Sequence, residues 1–198
     1  MENSTSTNSA ILDEDFDRSF PPPGWTTFIG KNGIGEAENW ILRFSSTAAV
    51  EPEDVSGGLA EDWLVTPSLR PNAENNTFTF DAEQDSDGDQ GSVYSVRVST
   101  KSQDNPDDFE IVQTYTEADL GTEDSTTLTA DLSAYQGQDI YVALVMENDN
   151  GNEFIFKEAR GIPLTPNNIL VSQYGKEAVL SRGGANEVVQ VELTFQPV

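Results

Sequence analysis

The sequence predicts an all-β protein: a jelly-roll β-sandwich of two antiparallel sheets with a C-terminal β extension. Three observations carry this. Short alternating or apolar runs recur at near-regular spacing, separated by Gly, Asp, Asn and Pro. No segment has a 3.6-residue apolar period, so no amphipathic helix is expected. Asp131–Met146 joins a turn closed by Gly137 to Ile140–Met146, a run apolar on both faces. Such a run fits a strand in the middle of a covered sheet.

Residues 1–10 form a polar Ser/Thr/Asn tail with nothing to bury. Ile11–Phe16 reads as the first strand. Pro21–Trp25 (P-P-P-G-W) is a rigid extended crossing, because consecutive prolines exclude helix and central strand. After a glycine-rich loop at Gly30–Gly35, Asn39–Phe44 is the next strand. Ser45–Gly58 reads as a long polar loop, closed by Leu59–Leu69. Asn76–Ala82 alternates with Phe78 and Phe80 on one face. In Val93–Thr100, Tyr94, Val96 and Val98 point inward while Ser95, Arg97 and Ser99 point outward. These two runs, joined by the Asp85–Gly91 turn, read as a hairpin.

An acidic loop at Lys101–Asp108 precedes a strand at Phe109–Thr116. Thr126–Leu132 places Leu128, Ala130 and Leu132 on one side. The apolar strand follows, then a type I′-like turn or weak cation site at Asn148–Glu153, then Phe154–Phe156. Ile169–Gln173 and Glu187–Phe195 are the last strands. The expected division is a tail (1–10), the sandwich (11–164) and an extension (165–198). That extension packs on the sandwich or on a neighbouring subunit.

Charge narrows the partners. The 198 residues carry 35 acidic and 10 basic side chains, a formal charge of -25, so phosphate backbones and anionic membranes are repelled. An acidic surface that maintains solubility, adaptation to high salt and a calcium-loaded surface all fit this charge. The scarcity of lysine (Lys31, Lys101, Lys157 and Lys176) favours the salt reading. There is no cysteine and no histidine, so disulfides, thiolate metal sites and Ser-His or Cys-His dyads are excluded. No apolar run reaches membrane-spanning length, and the N-terminus lacks the pattern of a signal peptide.

Several motifs occur in one order: Glu14–Trp25 (E-D-F-D…F-P-P-P-G-W), Asn39–Trp40, Glu61–Leu69 (E-D-W-L-V-T-P-S-L), Tyr94–Thr100 and Asp131–Leu144. Together, over about residues 11–160, they resemble the cleaved-adhesin, or choice-of-anchor J, domains of bacterial surface and secreted proteins. The resemblance implies a jelly roll related to carbohydrate-binding and adhesin modules. It also implies a structural calcium between the first strand and the last, at positions matching Asp17 and Glu158. The family usually ends in an apolar strand and Asp-Asp-Val, whereas this chain reads F-I-F-K-E-A-R-G at Phe154–Gly161.

Asp85, Asp87 and Asp89 are further calcium candidates, since alternate carboxylates on a tight loop can converge on a hard cation. Gln90 and Val96 stand where an EF-hand needs Gly and Glu, so a metal-free acidic turn is the competing reading. Trp25, Trp40 and Trp63 have apolar neighbours and read as packing residues, which leaves Tyr115 and Tyr174 as candidate ligand-binding aromatics. No carboxylate pair stands in the apolar setting that acid–base catalysis needs, so the chain reads as not an enzyme.

Two functions follow. One is a non-catalytic adhesion module that recognises a glycan or surface glycoprotein, extracellular and adapted to high salt. The other is a structural subunit of an assembly, such as a virion decoration or tail protein, contacting identical or neighbouring subunits through its termini.

Overall fold

Ile140–Met146 lies in the middle of one sheet. The structure is a computed structural model that describes residues 10–165, apart from 37–39, 44–45, 87, 89 and 123. It also describes the backbone of three strands beyond residue 165. Strand β10 (Tyr141–Asn148) is the third of five in one sheet, ordered β2 (Thr26–Ile29), β5 (Ala60–Val65), β10, β7 (Val93–Ser99) and β8 (Phe109–Thr116). Val142 to Met146 are all at most 2% exposed, as a run apolar on both faces requires.

The second sheet runs β3 (Trp40–Arg43), β4 (Thr47–Val50), β11 (Phe154–Pro163), β6 (Thr77–Gln84) and β9 (Thr126–Asp131). Strand β1 (Ile11–Glu14) also pairs with β11. Because β11 is 10 residues long, one edge of it takes two partners in succession. Phe154–Phe156 pairs with β4, while Ala159–Pro163 pairs with β1. All pairings between these strands are antiparallel, an isolated parallel bridge joins Glu83 to Gly121, and no described residue is in an α-helix. Beyond the sandwich, β12 (Leu170–Tyr174), β13 (Glu177–Arg182) and β14 (Ala185–Glu187) form a separate three-stranded sheet. Residues 1–9 and 188–198 lie outside the described residues, and with them most of the predicted Glu187–Phe195 strand.

The space between the two sheets holds Phe78, Phe80, Tyr94, Val96, Val98, Leu128, Ala130, Leu132, Phe154 and Phe156, so the predicted inward faces are the inward faces found. Trp25 and Trp40 are buried among them. Trp63 is buried too, at 1% exposure, but on the outer face of the five-stranded sheet with Val65, Ala143 and Val145.

Four expectations change. Strands β6 and β7 are not a hairpin: they lie in different sheets, and residues 85–92 carry the chain across the sandwich. Alternation says which face of each strand is apolar, and two apolar faces can meet across a core as well as side by side. The real hairpin is β7–β8. Asn148–Glu153 also crosses between sheets, from β10 to β11. Only Asn150 in it has a left-handed backbone (φ 57), so it is not a type I′ turn. Ser45–Gly58 contains a fully buried strand, β4, whose Thr47–Val50 is too small and short to register as an apolar run.

Ser95 and Ser99, expected to point to solvent, are 2% and 0% exposed. The β7–β8 loop reaches back over their face of the sheet. Gln103 donates to the carbonyls of Gly24 (2.6 Å) and Thr66 (3.0 Å), and Phe109 sets its edge on Trp63.

Candidate ligand-binding site

The loop after β1 prepares one wall of a pocket. Phe16 is fully buried against Trp25 and Phe156, at ring separations of 5.4 and 5.2 Å. To reach them it adopts a left-handed backbone (φ 57), a strain of about 1–2 kcal/mol for a non-glycine residue. The buried carboxylate of Glu14 holds that turn by accepting from the Phe16 amide at 2.9 Å. Driving Phe16 inward turns its neighbours Asp15 and Asp17 outward, and both line the pocket.

The floor comes from the outer face of the six-stranded sheet. Outward-facing Ile155 stands opposite Ala49 and Glu83 on the flanking strands. A register shift between Phe156 and Glu158 places Lys157 and Glu158 together on the lining, as a β-bulge does. Ser46 and Thr47 complete a cavity of about 450 Å³. Asp17 and Glu158, singled out from the sequence, therefore meet in one pocket. Asp15, Glu83, Ser46 and Thr47 were not singled out. Asp15 was legible as part of E-D-F-D, but Glu83 shows only as the polar partner in an alternating strand.

Lys157 Nζ donates to Glu83 Oε2 at 2.6 Å, and Ser125 Oγ donates to the same oxygen at 3.0 Å. Glu158 accepts from Arg160 at 2.7 Å. Arg160 also grips Asp81 at 2.9 and 3.2 Å, and this pairing holds the Asp81 carboxyl below the usual carboxylate range. Asp17 stands 3.3 Å from the Arg18 guanidinium. The lining thus offers many hydrogen-bond acceptors, one ammonium and one apolar patch.

Calcium takes roughly six to eight oxygens. Asp17 and Glu158 each have an arginine partner, and no group of three carboxylates among the described residues stands close enough to hold a metal ion. The residues in place do not fit a calcium cage.

The other sequence candidates lie elsewhere. Asp85 is exposed at the end of β6, while Asp87 and Asp89 lie outside the described residues. Farther along, Gln90 and Ser92 are joined to the Asn148–Glu153 crossing through Glu117, which is 1% exposed. Its carboxylate accepts from the Ser92 amide (2.9 Å), the Asn152 amide (3.2 Å), the Asn152 side chain (2.9 Å) and the Gln90 amide. Tyr115 is half-buried, with its ring against Phe80 at 5.8 Å and its hydroxyl donating to the Thr129 carbonyl, so it joins the edges of the two sheets. The strand carrying Tyr174 is described, but its side chain is not among the described residues.

No protein-family model matches the sequence, and no curated protein is similar to it. Among solved structures, the chain is similar to the K1 cleaved adhesin domain of Lys-gingipain from Porphyromonas gingivalis W83. The two are 18% identical with a TM-score of 0.55, over 79% of this chain and 99% of that one. The K3 cleaved adhesin domain of the same protein and strain is 17% identical with a TM-score of 0.55, over 79% of this chain and all of its own (100%). A family 29 carbohydrate-binding module is similar at a TM-score of 0.49 and 13% identity, over 78% of this chain and 88% of that one. The chain has the jelly-roll fold of the cleaved-adhesin domains.

Proposed function

We propose that this domain is a non-catalytic recognition module, extracellular or surface-displayed, that takes a glycan or the glycan of a glycoprotein in the pocket beside β11. The observation that carries this reading is the lining. Asp15, Asp17, Glu83 and Glu158 accept hydrogen bonds from sugar hydroxyls, Lys157 donates one, and Ile155 meets the C–H face of a pyranose ring. A protein with a net charge of -25 discriminates against acidic polysaccharides, so the ligand is a neutral sugar. The absence of histidine and cysteine and the cleaved-adhesin fold support recognition rather than turnover.

A glycan array followed by calorimetry, in molar salt with and without calcium, tests this. At least one neutral glycan binds, and Lys157→Ala weakens it about tenfold by removing the ammonium donor. The melting temperature of that variant stays close to that of the parent. No binding to any neutral glycan, or binding indifferent to Lys157→Ala, overturns the reading.

A structural role in an assembly is the second reading. Among the described residues, strands β12, β13 and β14 pair with one another and with neither sandwich sheet. If that unit mediates assembly, deleting residues 166–198 dissolves an oligomer while the sandwich still folds. A full-length chain that sediments as a monomer at high concentration rejects it.

A further inference from the structure

We propose that Asn150–Gly151 is a site of spontaneous covalent modification, converting through a succinimide to aspartate and isoaspartate, while the chain's other Asn-Gly pair, Asn32–Gly33, is protected. In this reaction the Gly151 backbone nitrogen attacks Asn150 Cγ. The new N–Cγ bond replaces the Cγ–Nδ2 bond, the peptide proton is lost and the amide leaves as ammonia. Water then opens either carbonyl of the ring. Opening at one gives Asp; opening at the other gives a β-linked isoaspartate. The balance is asparagine plus water to aspartate plus ammonia, and no other reactant is needed.

Such attack requires a free side-chain amide, a free backbone N–H on the next residue and no Cβ in the way. The two pairs differ in the first two respects. Asn150 is exposed, and its side chain has no hydrogen-bond partner among the described residues. The Gly151 amide likewise has no acceptor among them, though Gly151 itself is buried, with Ser92 packed where a side chain would stand. At the other pair, Asn32 Nδ2 donates to the Leu59 carbonyl (2.8 Å) and Asn32 Oδ1 accepts from the Ile34 amide (3.0 Å). The Gly33 amide is committed to the Gly30 carbonyl at 3.1 Å. Attack there must free the Gly33 amide and swing the Asn32 side chain off the Leu59 carbonyl, and each lost bond adds to the barrier.

The position gives the reaction consequences. Asn150 lies between Asp149, whose carboxylate accepts from the Val55 amide, and Asn152, whose amide and side chain donate to buried Glu117. Conversion adds a negative charge to an already acidic crossing. The isoaspartate form also lengthens the backbone by one atom within a segment that must deliver Asn152 to Glu117.

The test follows the full chain in mildly alkaline buffer at molar salt, native and unfolded in guanidinium, by peptide mapping with mass detection (a gain of about 1 Da per event). In the native chain Asn150 converts at least about fivefold faster than Asn32, while in the unfolded chain the two convert at similar rates. Asn150→Gly, which keeps the left-handed backbone without strain, removes the fast event and leaves the slow one. If Asn32 converts as fast as Asn150 in the native chain, the proposal fails. It also fails if neither converts in the native chain while both do in the unfolded one.

Discussion

The guanidinium carbon of Arg97 lies 4.7 Å from the centre of the Trp63 ring, on the face of the sheet that does not look into the core. Phe28 stacks against the same indole at 5.3 Å, and Arg97 is fixed by Glu147 at 2.9 Å and by Ser95 Oγ at 2.9 Å. The row Phe28–Trp63–Arg97, capped by Phe109, is what makes the outer face of this sheet a second small core. A cation on an indole contributes about 1–2 kcal/mol when partly desolvated. Arg97→Ala therefore costs about 2 kcal/mol in urea unfolding. Arg97→Lys recovers only part of that, since an ammonium cannot stack as a plane. A loss under about 0.5 kcal/mol for Arg97→Ala would show the row to be ornamental.

Glu117 ties three segments together. Burial pushes its carboxyl up, and the hydrogen bonds from Gln90, Ser92 and Asn152 more than reverse this, leaving it below the usual range. A depressed folded pKa contributes stability that is present above the unfolded value of about 4.3 and lost as pH falls through the folded value. Glu117→Gln is expected to cost about 2 kcal/mol at neutral pH. In chemical denaturation at stepped pH, that cost shrinks below about pH 4. A cost independent of pH would contradict the ionised staple.

Glu14 has the opposite sign. Burial pushes its carboxyl above the usual range against the pull of the Phe16 amide, and its Oε2 has no hydrogen-bond partner among the described residues. A raised folded pKa means that the folded state takes up the proton first. The cost of the charged form is present above the folded pKa and is relieved as pH falls through it. Wild type therefore gains stability relative to Glu14→Gln on moving from neutral to mildly acidic pH, measured by the same denaturation series. A gap that widens the other way would refute this.

Screening should stabilise the whole molecule. With a net charge of -25, self-repulsion falls as the Debye length shrinks to about 3 Å at molar salt. The melting temperature is expected to rise by about 5 °C or more between dilute buffer and molar sodium chloride. An unchanged value would remove the argument for adaptation to salt.

Calcium should do little beyond ionic strength. Asp17 and Glu158 are held by arginines and no three carboxylates among the described residues converge on one point, so at constant ionic strength calcium and chelator give melting temperatures within about 1 °C of each other. A rise of several degrees with calcium would mean that further oxygens join these two.

Much of the sandwich was legible because strand signals are local. Phe109–Thr116 was delimited from the sequence as the structure has it, and the inward faces of β6, β7 and β9 followed from alternation. What failed were partnerships. Phe78 and Phe80 mark an apolar face whether β7 lies beside it or across the core from it. β4 was missed because Ala48 and Ala49 have little apolar surface of their own. It is a strand because β3 and β11 hydrogen-bond to it on either side. Asp17 and Glu158 could be paired only through a family resemblance, while Glu83 and Lys157 joined them through the register of β6 and β11.

The sequence alone determined the class of fold, the central strand, the residues of the inner faces and a strongly acidic character. These are set by periodicity and composition, which neighbours along the chain express without help. Only the tertiary structure decided that two predicted turns are crossings between sheets, that the outer face around Trp63 is covered, and that four carboxylates and a lysine share one pocket. Each of these depends on which distant strands pair and in what register. That choice is made by burying both sheets' apolar faces at once, and no single segment records it.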